Sequence, residues 1–200
     1  MSPRTTAQFD EIRQRSRQRI MAAALELFGT RGYASTSINQ IAKAAEISKG
    51  LMYNYFESKQ DLLQQIVLAN MEEGEQWWQE IQKMELSAFE KIEKVTEKSL
   101  QIVQDDEHHW RLLTSLMFQP HVMEGMEALL KQKVTKLQPQ ATALFEELGV
   151  PFPEKEALLY AASLDGMFLQ YLSLGPHYPL KEIADHLLDR YRKYHHQLPD

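Results

Sequence analysis

Apolar residues recur along the chain at intervals of three and four, the spacing that lines one face of an α-helix. Ile20, Ala23, Ala24, Leu27 and Phe28 form the first such face and predict a helix over about 13–29. It stops at Gly29-Thr30-Arg31-Gly32, where Gly32 suits a C-terminal turn with positive φ. A short helix is expected next, over about 37–44, with Thr36 as N-cap and Gln40 closing the cap. Its inward residues are Ile38, Ile41, Ala42 and Ala45. After the turn Ala45-Glu46-Ile47, Ser48 caps another short helix over about 49–55, with Met52 and Phe56 facing inward. Longer helices are predicted over about 59–83, 87–104, 108–118, 122–148, 154–174 and 180–195. Pro139 should kink or split its helix, since it cannot donate to the carbonyl four residues back. No β-branched alternation and no Asn-Gly or Asp-Gly hairpin turn interrupts the pattern, so the expected fold is all-α.

Composition narrows the class. Of the 200 residues, 44% are hydrophobic and 25% charged, ordinary values for a globular protein. No apolar run reaches the ~18 residues of a membrane span, and the basic N-terminus has no apolar stretch behind it, so no secretory signal is expected. The absence of cysteine excludes disulfides, thiolate metal sites and cysteine nucleophiles, and a cytoplasmic location is the expectation. Charge is uneven. Residues 1–60 hold nine Lys/Arg against five Asp/Glu, while residues 61–200 hold thirteen against twenty-three. A basic head on an acidic body suggests that the head meets a polyanion.

A helix followed by a short helix, a three-residue turn and another short helix is the helix-turn-helix plan. Its second short helix enters the major groove while the first braces it across the backbone. The stretch Ile20–Leu63 resembles the DNA-binding domain of the TetR family of bacterial repressors. The resemblance rests on ALELFGTRGY, Thr36-Ser37-Ile38, Ile41-Ala42, Ser48-Lys49-Gly50, Tyr53-Asn54-Tyr55-Phe56, and Ser58-Lys59 with Leu62-Leu63. It implies an N-terminal three-helix helix-turn-helix domain over 1–60, with a flexible arm at 1–12. A bridging helix would join this to a helical effector-binding and dimerisation domain over 61–200. It further implies a homodimeric, non-enzymatic repressor on a pseudo-palindromic, double-stranded operator, found in the bacterial cytoplasm and on the nucleoid when bound.

Carried over by position, Thr36 and Ser37 would anchor a phosphate, Asn39 would face the groove, and Lys49, Gly50 and Tyr53 would lead the recognition helix. Asn54, Tyr55 and Lys59 would bind phosphate, Tyr55 fitting a core role equally well. Two positions depart from the family pattern. Glu46 stands where Gly is usual, and Leu51 replaces a frequent Thr, so that it would touch a thymine methyl instead.

The remaining candidates follow from residue type. Trp77, Trp78, Trp110, Met117, Phe118, Met126 and Phe168 suit the pliable wall of a hydrophobic or amphipathic effector site, or simply core packing. Asp165 lies on the apolar stripe of Leu158, Ala161, Ala162, Phe168, Leu169 and Leu172, and needs a partner, an interface or a cavity. The last two helices carry broad apolar faces, and the resemblance implies that they form the dimer face through Leu158, Ala161, Ala162, Leu169 and Leu172 together with Ile183, Ala184, Leu187, Leu188 and Tyr191. The run from Asp105 to His109 cannot converge on a metal, because adjacent helical residues diverge by about 100°. No catalytic set, cofactor motif or metal site is readable. A DNA-binding regulator without an effector stays open, and an all-helical enzyme is the rival from another class.

Overall fold

The computed structural model describes residues 6–119 and 122–195. These form α1 (Thr6–Arg31), α2 (Ile38–Ala44), α3 (Lys49–Met52), α4 (Lys59–Gln82), α5 (Ala88–Asp105), α6 (Glu107–Met117), α7 (Val122–Glu147), α8 (Pro153–Leu174) and α9 (Leu180–His195). A 3-10 turn, Gly175–His177, separates the last two helices. No strand occurs among the described residues, in agreement with the all-α expectation.

Four local expectations are corrected. The first helix starts at Thr6, so most of the expected arm is helical, and residues 1–5 lie outside the described residues. The segment has no apolar period, but Gln, Glu and Arg are good helix formers, and Glu11 and Arg15 pair one turn apart at 2.6 Å. Ser37, not Thr36, caps α2; its hydroxyl accepts from the Gln40 N–H while the Gln40 side chain accepts from the Ser37 N–H. The recognition helix is shorter than expected, with Tyr53 as its C-cap. Finally, α7 runs through Pro139 without splitting.

Packing divides the chain into two compact units, 1–72 with 111–126, and 73–110 with 127–200. The expected division at 60/61 follows the charge shift and the resemblance, with a bridging helix across it. Helix α4 continues past it, and the 111–126 segment returns to the first unit. In that unit the buried residues include Ile20, Ala24, Phe28, Ile41, Ala42, Ala45, Met52, Phe56, Leu62, Leu63, Ile66, Leu112 and Leu116. A Cβ on Gly29 would lie 2.4 Å from Leu112 Cδ2, so α1 and α6 approach more closely there than any side chain at 29 would allow.

The second unit is centred on α5, α8 and α9. Phe89, Ile92, Val95, Phe145, Tyr160, Met167, Leu187, Leu188 and Tyr191 belong to one buried cluster. The buried hydroxyls of Thr96 and Tyr160 are paired. Thr96 donates to the Ile92 carbonyl at 2.9 Å, and its hydroxyl meets that of Tyr160 at 2.7 Å. Burial pushes the Tyr160 phenol well above its ordinary pKa.

Candidate nucleic-acid interface

The short helices take their orientation from what they bury. Ile41, Ala42 and Ala45 turn one side of α2 inward, and Met52 with Phe56 does the same for α3 and the turn after it. Ala45 carries the C-cap of α2, and the chain then turns through Glu46 at φ 53°. Ser48 accepts from the Leu51 N–H at 3.1 Å and starts α3. The other side of α3 is therefore outward. Lys49, Gly50 and Asn54 are exposed, Leu51 is 38% exposed and Tyr53 50%. Nothing lies within 4 Å of a Cβ built on Gly50, which leaves the start of α3 open to a close-approaching ligand. Ser37 and Asn39 are exposed on α2, and Tyr55 is half-buried.

Thr36 and Lys59 are placed differently from the residue-by-residue carry-over. Thr36 is 1% exposed, and its hydroxyl donates to the Gly32 carbonyl at 2.8 Å and the Leu27 carbonyl at 3.2 Å. That hydroxyl is turned into the protein, so phosphate anchoring through it is corrected. The half-buried Lys59 ammonium donates to the carbonyls of Tyr33 and Thr36 at 2.8 and 2.9 Å, and stands 4.4 Å from the Tyr33 ring centre. Two of its three N–H groups are thus committed internally. Partial burial lowers its pKa and raises that of Tyr33. The sequence around Lys59 gives no sign of this clip, because the carbonyls it serves are 26 and 23 residues away.

The candidate effector residues are divided between the two units. Met117, Phe118 and Met126 belong to the first unit; Met117 and Phe118 are 56% and 72% exposed, and Met126 is buried. Trp77, Trp78, Trp110 and Phe168 are partly buried against the core of the second unit. Trp78 donates its indole N–H to Gln140 at 2.8 Å and Trp110 to the Ile102 carbonyl at 3.1 Å. Two open grooves of about 500 and 540 Å³ lie in the second unit, and none of these residues lines either. Among the described residues no cluster of three His, Cys, Asp or Glu suits a metal.

The residues expected at a dimer face divide into buried and exposed ones. Leu172, Ala184, Leu187, Leu188 and Tyr191 lie in the protomer's own core. The apolar stripe on α9 packs against α5 and α8. Leu158, Ala161, Ala162, Leu169 and Ile183 remain exposed, joined by Leu159 at 46%. Asp165 sits exposed among them, with partial desolvation raising its carboxyl pKa.

This is an all-helical protein headed by a helix-turn-helix. Residues 20–66 match the family described as bacterial regulatory proteins, tetR family. Over 53 residues the chain is 45% identical to the HTH-type transcriptional regulator AcrR of Shigella flexneri, a match covering 26% of this chain and 25% of that one. The chain thus matches about a quarter of that relative's length. The crystal structure of NalD from Pseudomonas aeruginosa, the secondary repressor of the MexAB-OprM multidrug efflux pump, superposes with a TM-score of 0.74 at 22% identity. That superposition covers 90% of this chain and 96% of NalD. The transcriptional regulator FadR from Bacillus subtilis, solved in complex with stearoyl-CoA, superposes at 0.71 with 21% identity, over 87% of this chain and 96% of its own. At these identities the two superpositions speak for the fold. The match to the tetR family of bacterial regulatory proteins is thus a match of the N-terminal domain, residues 20–66.

Proposed function

We propose that this chain is a homodimeric transcriptional repressor that places α3 in the major groove of a pseudo-palindromic operator and is released by a hydrophobic or amphipathic effector. The observation that carries the DNA reading is the divided surface of α3. Met52 and Phe56 are buried, while Lys49, Gly50, Leu51, Tyr53 and Asn54 stand exposed with no core to serve. Lys49 and Asn54 offer donors to phosphates and base edges, and Leu51 offers a contact for a thymine methyl. Ser37, Asn39 and Tyr55 flank this surface, and Lys59 retains one N–H for a phosphate. A four-residue recognition helix gives too few contacts for specific affinity alone, which favours two copies reading half-sites a helical turn apart. The test is a duplex selected from a random pool by the wild-type protein. Lys49→Ala and Tyr53→Ala should each weaken binding at least tenfold while leaving the melting temperature within a degree or two. Unchanged affinity in both variants would remove α3 from the interface.

The effector reading draws on the Met and aromatic residues named above and on the stearoyl-CoA bound by the FadR neighbour. A coupling of roughly 5–150-fold in DNA affinity is the usual scale. Stearoyl-CoA is a first probe. It should quench tryptophan fluorescence and lower affinity for the selected duplex. The duplex should in turn lower affinity for the probe by the same factor. Quenching without reciprocity would separate adventitious binding from regulation.

A further inference from the structure

The loop between α1 and α2 is held from outside itself. The Tyr33 N–H donates to Gln119 Oε1 at 2.6 Å, and Gln119 Nε2 donates to the Phe28 carbonyl at 3.0 Å. Gln119 is half-buried just past the end of α6, in a segment that packs with the first unit although it lies 86 residues beyond Tyr33 in sequence. On its other side the same Tyr33 residue is gripped by Lys59, whose ammonium joins the Tyr33 carbonyl to that of Thr36. The next residue, Ser37, is the N-cap of α2. Hydrogen bonds therefore run from Gln119 to Tyr33 and from Tyr33 through Lys59 to the Thr36 carbonyl, one peptide bond before the cap of the helix that braces α3.

The chemistry at 119 is restrictive. The site presents an N–H and a C=O side by side, and a primary amide answers both with one planar group. A carboxylate lacks the donor, and an ammonium lacks the acceptor. Gly32 fits the same geometry. Its φ of +89° is open to glycine, and a Cβ there would stand 3.9 Å from Gln119 Oε1.

We propose that Gln119 is a positioning residue for DNA binding, fixing the α1–α2 loop and through it the presentation of α2 and α3. This role rests on the DNA-binding reading above. Losing two hydrogen bonds that select one loop conformation should reduce the binding-competent fraction, and hence the affinity, by about five- to thirtyfold.

The test uses the full-length chain and the duplex selected by the wild type. Gln119→Ala should lower affinity by that factor and speed hydrogen exchange at the Tyr33 amide. It should leave the salt dependence of binding unchanged, because no phosphate contact is lost. Gln119→Met, close in size but without the amide, should lose affinity by the same factor, and it carries the test if the alanine variant does not fold. Equal affinity in wild type and both variants overturns the role while the DNA reading stands. So does a loss of affinity accompanied by a flatter salt slope, the mark of direct phosphate contact. A wild type that selects no duplex overturns the DNA reading and this role with it.

Discussion

Glu46 occupies the turn of the helix-turn-helix with φ 53°, a conformation that costs a side-chain-bearing residue roughly 1–2 kcal/mol. Its exposed carboxylate lies 3.9 Å from Arg19, a distance and exposure at which an ion pair contributes little. Glycine removes the steric cost but loses more freedom on folding. Glu46→Gly should therefore raise stability by up to about 1 kcal/mol by denaturant titration, and should strengthen duplex binding by removing a negative charge from beside the groove. Lower stability in the variant would show that Glu46 holds the turn by a contact other than its backbone. Position 46 was readable as a departure from the family pattern. Thr36 and Lys59 were not, because whether a hydroxyl or an ammonium turns outward depends on carbonyls brought near only by folding.

At the scale of elements, the apolar period located the helices well and their partners poorly. The stripe Ala184, Leu187, Leu188 and Tyr191 reads equally well as a dimer seam or as the inside of a protomer; α5 and α8 take it up in this fold. The consequence is a pair of contrasting variants. Leu187, 8% exposed, lies within the core, so Leu187→Glu buries an unpaired charge and should unfold the protomer, with loss of helical circular dichroism. Leu158, 49% exposed, should tolerate Leu158→Glu as a folded chain that light scattering finds monomeric and that binds the selected duplex weakly. A dimeric Leu158→Glu protein would move the interface off this face of α8. The capping box on α2 was partly legible. Thr36 and Ser37 are both good caps, and only the inward bonds of Thr36 to Gly32 and Leu27 leave the cap to Ser37.

Over the whole molecule, the net charge of −6 opposes contact with DNA, and the basic residues of the first sixty oppose that in turn. Local charge governs counterion release, since screening limits each interaction to about 8–10 Å at ordinary salt. Binding to the selected duplex should therefore weaken about a thousandfold or more between 50 and 200 mM salt, as for proteins making six or more phosphate contacts. Binding that is flat with salt would place the duplex on a surface other than the basic head.

Sequence by itself determined the all-helical class, the helix-turn-helix and the side of α3 turned away from the core. All three follow from local spacing, capping chemistry and short-range packing, which are written within a few tens of residues. The tertiary structure decided which outward-looking polar groups are committed inside, which apolar stripe is buried within the chain, and that residues 111–126 pack with the first unit. Those outcomes depend on groups far apart in the chain. The Gln119 amide meets an N–H and a carbonyl 86 and 91 residues away, and no local pattern records which distant partner a polar side chain will find.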